Sequence, residues 1–99
     1  MKLVVVPSAL AELQDAADHY SLQGGRQLGR DFVAEFERVA KLLLINPQLG
    51  ALALGVRRYS MSKFPYSVIY QITVSELRII AVAHQRRRPG YWRVRGKKI

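Results

Sequence analysis

The chain has 99 residues, enough for one modest hydrophobic core and too few for two, so residues 1–99 are expected to form a single domain. Half of it is apolar (49%), which favours folding over disorder, and the absence of cysteine excludes disulfides and thiolate metal sites. Its formal charge of +9 is strongly asymmetric: residues 1–50 carry five cations and six acids, whereas residues 51–99 carry eleven cations and one acid, Glu76. Such a field draws in polyanions or an acidic partner. The opening Met1 to Pro7 is too short for a signal peptide, and no apolar run approaches the ~18–20 residues that span a bilayer. A soluble, cytoplasmic protein is expected.

In chain order, Leu3 to Val6 is a short β-branched run that predicts a strand, closed by Pro7 and Ser8. Pro7 suits the first turn of a helix, where its missing N–H costs nothing. Leu10, Leu13, Ala17 and Tyr20 then recur at helical spacing. Glu12, Asp15 and Asp18 are early enough to favour the positive end of the helix dipole, and Gly24-Gly25 predicts the stop. A second helix is predicted over about 27–45, with Phe32, Phe36, Val39, Leu43 and Leu44 as its apolar stripe and Ala40 between them. Glu37 and Lys41 stand in the favoured order for an i,i+4 pair, and Asn46-Pro47 ends the helix. Gln48 to Gly55 reads as a small-residue connection. Three strands should follow: Val56–Ser60, an alternating Tyr66–Thr73, and Leu77–His84, which is apolar on both faces as in a central strand. The predicted class is α+β, in the order β-α-α-β-β-β, with a helical hairpin packed on a small antiparallel sheet and a basic tail behind it.

The chemistry is concentrated in that tail. From His84 to Ile99, seven of the sixteen residues are Arg or Lys, none is acidic, and Tyr91 and Trp92 stand among them. Guanidinium groups bind phosphates and carboxylates bidentately and stay charged at any relevant pH. Arg57, Arg58, His84 and Arg86 to Arg88 can converge if their strands are neighbours. Alternation puts Arg57 and Arg58 on opposite faces, so only one of them can join a given site. A histidine or tyrosine beside an arginine can move a proton during attack of an RNA 2′-hydroxyl. Tyr91 and Trp92 can stack on an unpaired base or, alternatively, pin the tail to the sheet. For His84, a hydrogen-bonded structural role stands beside the catalytic one. No P-loop, nucleophile elbow or carboxylate pair is present, His19 with Asp15 does not make a metal site, and no cofactor is expected.

Four segments together resemble the RelE/ParE superfamily of toxins from bacterial type II toxin–antitoxin modules. They are Leu42 to Gly50, Val56-Arg57-Arg58-Tyr59, Phe64 to Tyr70, and Ile80 to Arg87. The resemblance covers nearly the whole chain and implies the same element order. It also implies a toxin neutralised in a hetero-oligomer by a cognate antitoxin, whose disordered C-terminal segment wraps the active surface. In RelE-like members, which cleave mRNA on the ribosome, Arg86 would occupy the C-terminal arginine position, with Tyr91 or Trp92 near the aromatic one. The wider candidate set for such catalysis is Arg57, Arg58, His84, Arg86 and Tyr91. Those members carry an arginine where this chain has Ser67, and Lys63 stands alone in a stretch that is lysine-rich in them. The Phe-Pro-Tyr start and the ending His84 to Trp92 are more similar to ParE-like members, which inhibit DNA gyrase. The expected activity is therefore gyrase inhibition through Arg86, Arg87, Arg88, Tyr91 and Trp92. Ribosome-dependent mRNA cleavage is the alternative, and a non-toxic basic interaction module is the third possibility.

Overall fold

A computed structural model describes residues 1–97. Its elements are β1 (Lys2–Val5), α1 (Pro7–Gly24), α2 (Arg26–Ile45), β2 (Ala51–Ala53), β3 (Val56–Ser60), β4 (Tyr66–Ile72), β5 (Glu76–His84) and a short α3 (Arg93–Lys97). The five strands form one sheet in the order β1-β5-β4-β3-β2, antiparallel except for the parallel pair β1–β5. The predicted α+β architecture with a helical hairpin on the sheet is correct. Two elements escaped the sequence. Residues 51–53 of the presumed connection form an edge strand whose side chains are all exposed, so no alternation marks it. The basic tail begins a helix at Arg93.

Pro7 opens α1 without an N–H to satisfy, and Gly25 closes it at φ 91°, where its own N–H donates to the Ser21 carbonyl. A single residue thus separates two long helices, which must fold back on each other. They approach closely because Gly29 is buried between them; a Cβ there would lie 2.0 Å from Ser21 Oγ and 2.7 Å from the Ala17 carbonyl oxygen. The stripe Phe32, Phe36, Val39, Ala40 and Leu43 is buried as its spacing predicts. On α1 the buried positions are Ala9, Leu13 and Ala16, while Leu10 faces solvent. Glu12, Asp15 and Asp18 lie beyond the first turn of α1, so the dipole role expected of them does not apply.

The sheet buries both faces. Val68, Tyr70, Leu77, Ile79 and Val82 pack against the helices, where Tyr20, Phe32, Phe64 and Tyr66 form an aromatic cluster with ring centroids 5.0–6.2 Å apart. Val56, Ile69, Ile80, Ala81 and Ala83 face the other way. Register explains the switch within β5: Ile69 pairs with Ala81 and Tyr70 with Ile79, so Ile80 is an extra, unpaired residue. That bulge rephases the strand. It also makes the apolar run Leu77–His84 supply both cores. At the far edge, the buried Tyr70 hydroxyl donates to the Pro47 carbonyl at 2.7 Å and accepts the Gly50 N–H at 2.9 Å, tying the end of α2 to β4.

Candidate target-binding surface

The cationic segment starts where β5 ends. Tyr66 of β4 pairs with His84, and their rings meet edge-on at 5.0 Å. His84 Nδ1 accepts the Arg86 N–H at 3.0 Å, and the His84 carbonyl accepts the Arg87 N–H at 2.9 Å. This tight turn throws Arg86, Arg87 and Arg88 outward, and all three are exposed. Gly90, at φ 85°, then reverses the chain. Tyr91 and Trp92 return across the second sheet face, half-buried against Val56, Ile69, Ile80, Ala81 and Ala83. Both rings thereby pack the tail onto the sheet while remaining partly exposed.

The candidate residues divide into groups. Arg58 Nε donates to the buried Ser67 Oγ at 3.2 Å, and both line a small hollow with His84, Arg87 and Trp92. Arg57, on the opposite face, donates to the carbonyls of Gln48 and Gly50 at 3.1 and 2.8 Å and braces the connection before β2. Alternation therefore separates the two arginines as expected, and Arg58 is the one on the tail side. The hollow has a volume of about 30 Å³, room for a water and far below the roughly 300 Å³ of a small-molecule site. The Arg87 guanidinium lies 4.0 Å from the Tyr91 ring centroid, a cation–π contact that steadies the middle of the ridge.

The group that the sequence did not single out is Glu12. Its carboxylate accepts from Val82 N–H (3.0 Å), Tyr91 O–H (2.8 Å) and Arg95, whose two terminal nitrogens lie 2.8 and 3.3 Å away. Arg95 also donates to the Ile80 carbonyl at 3.0 Å, the residue that the bulge leaves without a partner on β4. Burial, then the hydrogen bond to Glu12 and its negative charge, push the Tyr91 phenol well above its ordinary range. A faint signal for Glu12 exists: it stands between Ala9 and Ala16 at helical spacing, on the flank of the buried face. Nothing local names its partners, which lie 70 to 83 residues away.

Among the described residues, no three His, Cys, Asp or Glu side chains are placed to hold a metal, and no helix is long and apolar enough to cross a membrane. Lys98 and Ile99, the end of the cationic tail, lie outside the described residues.

A helical hairpin on a five-stranded sheet, ending in an exposed arginine ridge flanked by an open hollow of about 290 Å³ lined by Glu12, Asp15, His19, Tyr66, His84 and Arg87, defines a small basic α+β protein. A family model for the ParE toxin of the type II toxin–antitoxin system parDE matches residues 3–89. The chain belongs to that family and is a toxin component of a type II toxin–antitoxin system. Among solved structures, a chain of a chromosomal ParDE system from P. aeruginosa has the same fold. It matches with a TM-score of 0.75 and 24% identity over 85% of this chain and 95% of that one. No curated protein matches. The resemblance drawn from the four sequence segments is thus correct at the level of superfamily and on its ParE side.

Proposed function

We propose that residues 1–99 act as one cytoplasmic toxin domain that inhibits DNA gyrase by binding it through Arg86, Arg87, Arg88 and Trp92. A cognate antitoxin covers this surface in a hetero-oligomer until the toxin is released. The observation that carries this reading is that the two residues of the tail that the sequence offered for moving a proton, His84 and Tyr91, are committed elsewhere. His84 Nδ1 accepts a backbone N–H, which leaves the proton of the neutral ring on Nε2, so the imidazole presents a donor and not a base. The Tyr91 hydroxyl donates to Glu12, and its pKa is raised, which removes it as a proton-transfer group near neutral pH. The arginines, by contrast, are consecutive in the chain and exposed, suited to acidic or phosphate groups on a large partner. Tyr91 itself then supports the surface from behind. An acidic antitoxin segment matches the charge of the second half of the chain.

The test is gyrase supercoiling with purified protein, alongside primer extension on mRNA after induction. Supercoiling should stop at near-stoichiometric toxin. Replacing Arg86, Arg87 and Arg88 together by alanine should weaken inhibition by about 10-fold or more, an effect that shrinks at high salt. Supercoiling untouched at stoichiometric excess would sink this reading. Cuts within codons that disappear with Arg86→Ala would instead establish the ribonuclease alternative, for which the convergence of Arg58 and His84 on one hollow is the supporting feature. Induction without any growth defect would leave the non-toxic interaction module.

A further inference from the structure

We infer that Glu12 is the positioning residue of the arginine ridge: from α1, its carboxylate holds Tyr91 to Arg95 against β5 and thereby fixes where Arg86–Arg88 and Trp92 stand. This inference rests on the binding function proposed above.

The ridge lies in a short loop whose first anchor is His84 at the end of β5 and whose second is the segment Tyr91 to Arg95. The second anchor has two parts. Tyr91 and Trp92 rest on the apolar face formed by Ile69, Ile80, Ala81 and neighbours, a contact without strong direction. Direction comes from Glu12. Its Oε1 takes the Val82 N–H and one Arg95 nitrogen, and its Oε2 takes the Tyr91 hydroxyl and the other Arg95 nitrogen. One carboxylate thus joins the strand, the aromatic anchor and the start of α3, with four charge-assisted bonds in fixed geometry. The helix that carries it is seated on the core through the buried Ala9, Leu13 and Ala16 beside it. Arg95 completes the arrangement by capping the Ile80 carbonyl.

Glu12 lies at the rim of α1, and of its three partners only Val82 belongs to the core beneath the helices, Tyr91 and Arg95 standing outside it. The consequence of the cluster falls on the loop between the anchors. With both ends tied, the three arginines are displayed in one arrangement before a partner arrives; with the second end released, binding must first order them. The Arg87–Tyr91 contact at 4.0 Å transmits this constraint directly into the ridge.

Trp92, the one tryptophan of the chain, is an internal reporter of the docked tail. In Glu12→Gln, acrylamide quenching of Trp92 should rise, trypsin should cut after Arg93 faster, and gyrase inhibition should require about 10-fold more protein, with far-UV circular dichroism unchanged. Arg95→Gln should do the same, and the double variant should be no worse than either single one, since both break one cluster. Asp18→Asn, exposed on the same helix, should behave as the wild type. Unchanged quenching and proteolysis in Glu12→Gln would overturn the inference. So would a loosened Trp92 with undiminished inhibition, which would make Glu12 a structural fastening only. If Glu12→Gln does not fold, Tyr91→Phe, which deletes a single hydroxyl, carries the same expectations and the same refutations. A wild-type protein inactive on gyrase overturns the proposed function instead, and the Trp92 response is then read separately from it.

Discussion

Two carboxylates, Glu12 and Glu35, accept hydrogen bonds from distant parts of the chain, and each ties a neighbouring segment to the helix that carries it. Glu35 is buried on α2, pairs bidentately with Arg38 at 2.8 and 2.9 Å, and accepts both the N–H and the hydroxyl of Ser62 beyond β3. The Arg38 hydrogen bonds first, with those from Ser62 behind them, lower its pKa from the ordinary 4.5 to about 2 despite its burial. A depressed carboxylate pKa stabilises the folded state fully above about 4.5, and that contribution is lost as pH falls toward about 2. Because Arg38 is half-exposed, its value at neutral pH is on the order of 2 kcal/mol. Glu35→Gln should lower the urea-unfolding free energy by about that amount at pH 7 and narrow the gap to wild type at pH 3. An equal gap at both pH values would contradict this account. Leu54 is the opposite case, a residue whose own stability suffers. It has φ 56° in the two-residue connection to β3, and its side chain is 75% exposed. Such turns favour Asn or Gly at that position. Leu54→Asn should therefore stabilise the protein by about 1 kcal/mol, seen as a rise of several degrees in Tm; a fall in Tm would show that the leucine is held by contacts of its own.

At the level of elements, the hairpin α1–α2 and the strand pair β4–β5 carry the structure, and the first depends on a glycine. Gly29→Ala would push a methyl group toward Ser21 Oγ and the Ala17 backbone, which cannot retreat without separating the helices. A destabilisation of about 1–3 kcal/mol is expected, despite the better helix propensity of alanine. Relief by Ser21→Ala in the double variant would identify the clash; a Gly29→Ala protein as stable as wild type would show that the hairpin adapts. The helices and the strands β1 and β3–β5 were legible because each carries its own periodicity or apolar run. The edge strand β2 was not, because all three of its residues are exposed and it is defined only by pairing with β3. The Ile80 bulge was equally hidden: it is a matter of register against β4, and the run Leu77–His84 looks the same with or without it. α3 is too short for a helical pattern to show.

Across the whole molecule, the sequence by itself determined the class, the toxin superfamily and the place of the positive charge, since all three are properties of residue order and composition. Two helical stripes, a glycine stop and four strand-like runs specify a hairpin on a sheet, and the arginines are adjacent in the chain wherever it folds. Tertiary structure decided which of them can act together. The exposure of Arg86–Arg88, the placement of Arg58 on the tail side and the hydrogen bond at His84 Nδ1 follow from strand faces and turns. The burial of Tyr91 against the sheet and its bond to Glu12 join residues 79 positions apart. A carboxylate on the first helix carries no mark of a hydroxyl near the end of the chain. Only packing α1 along β5 brings them within 2.8 Å.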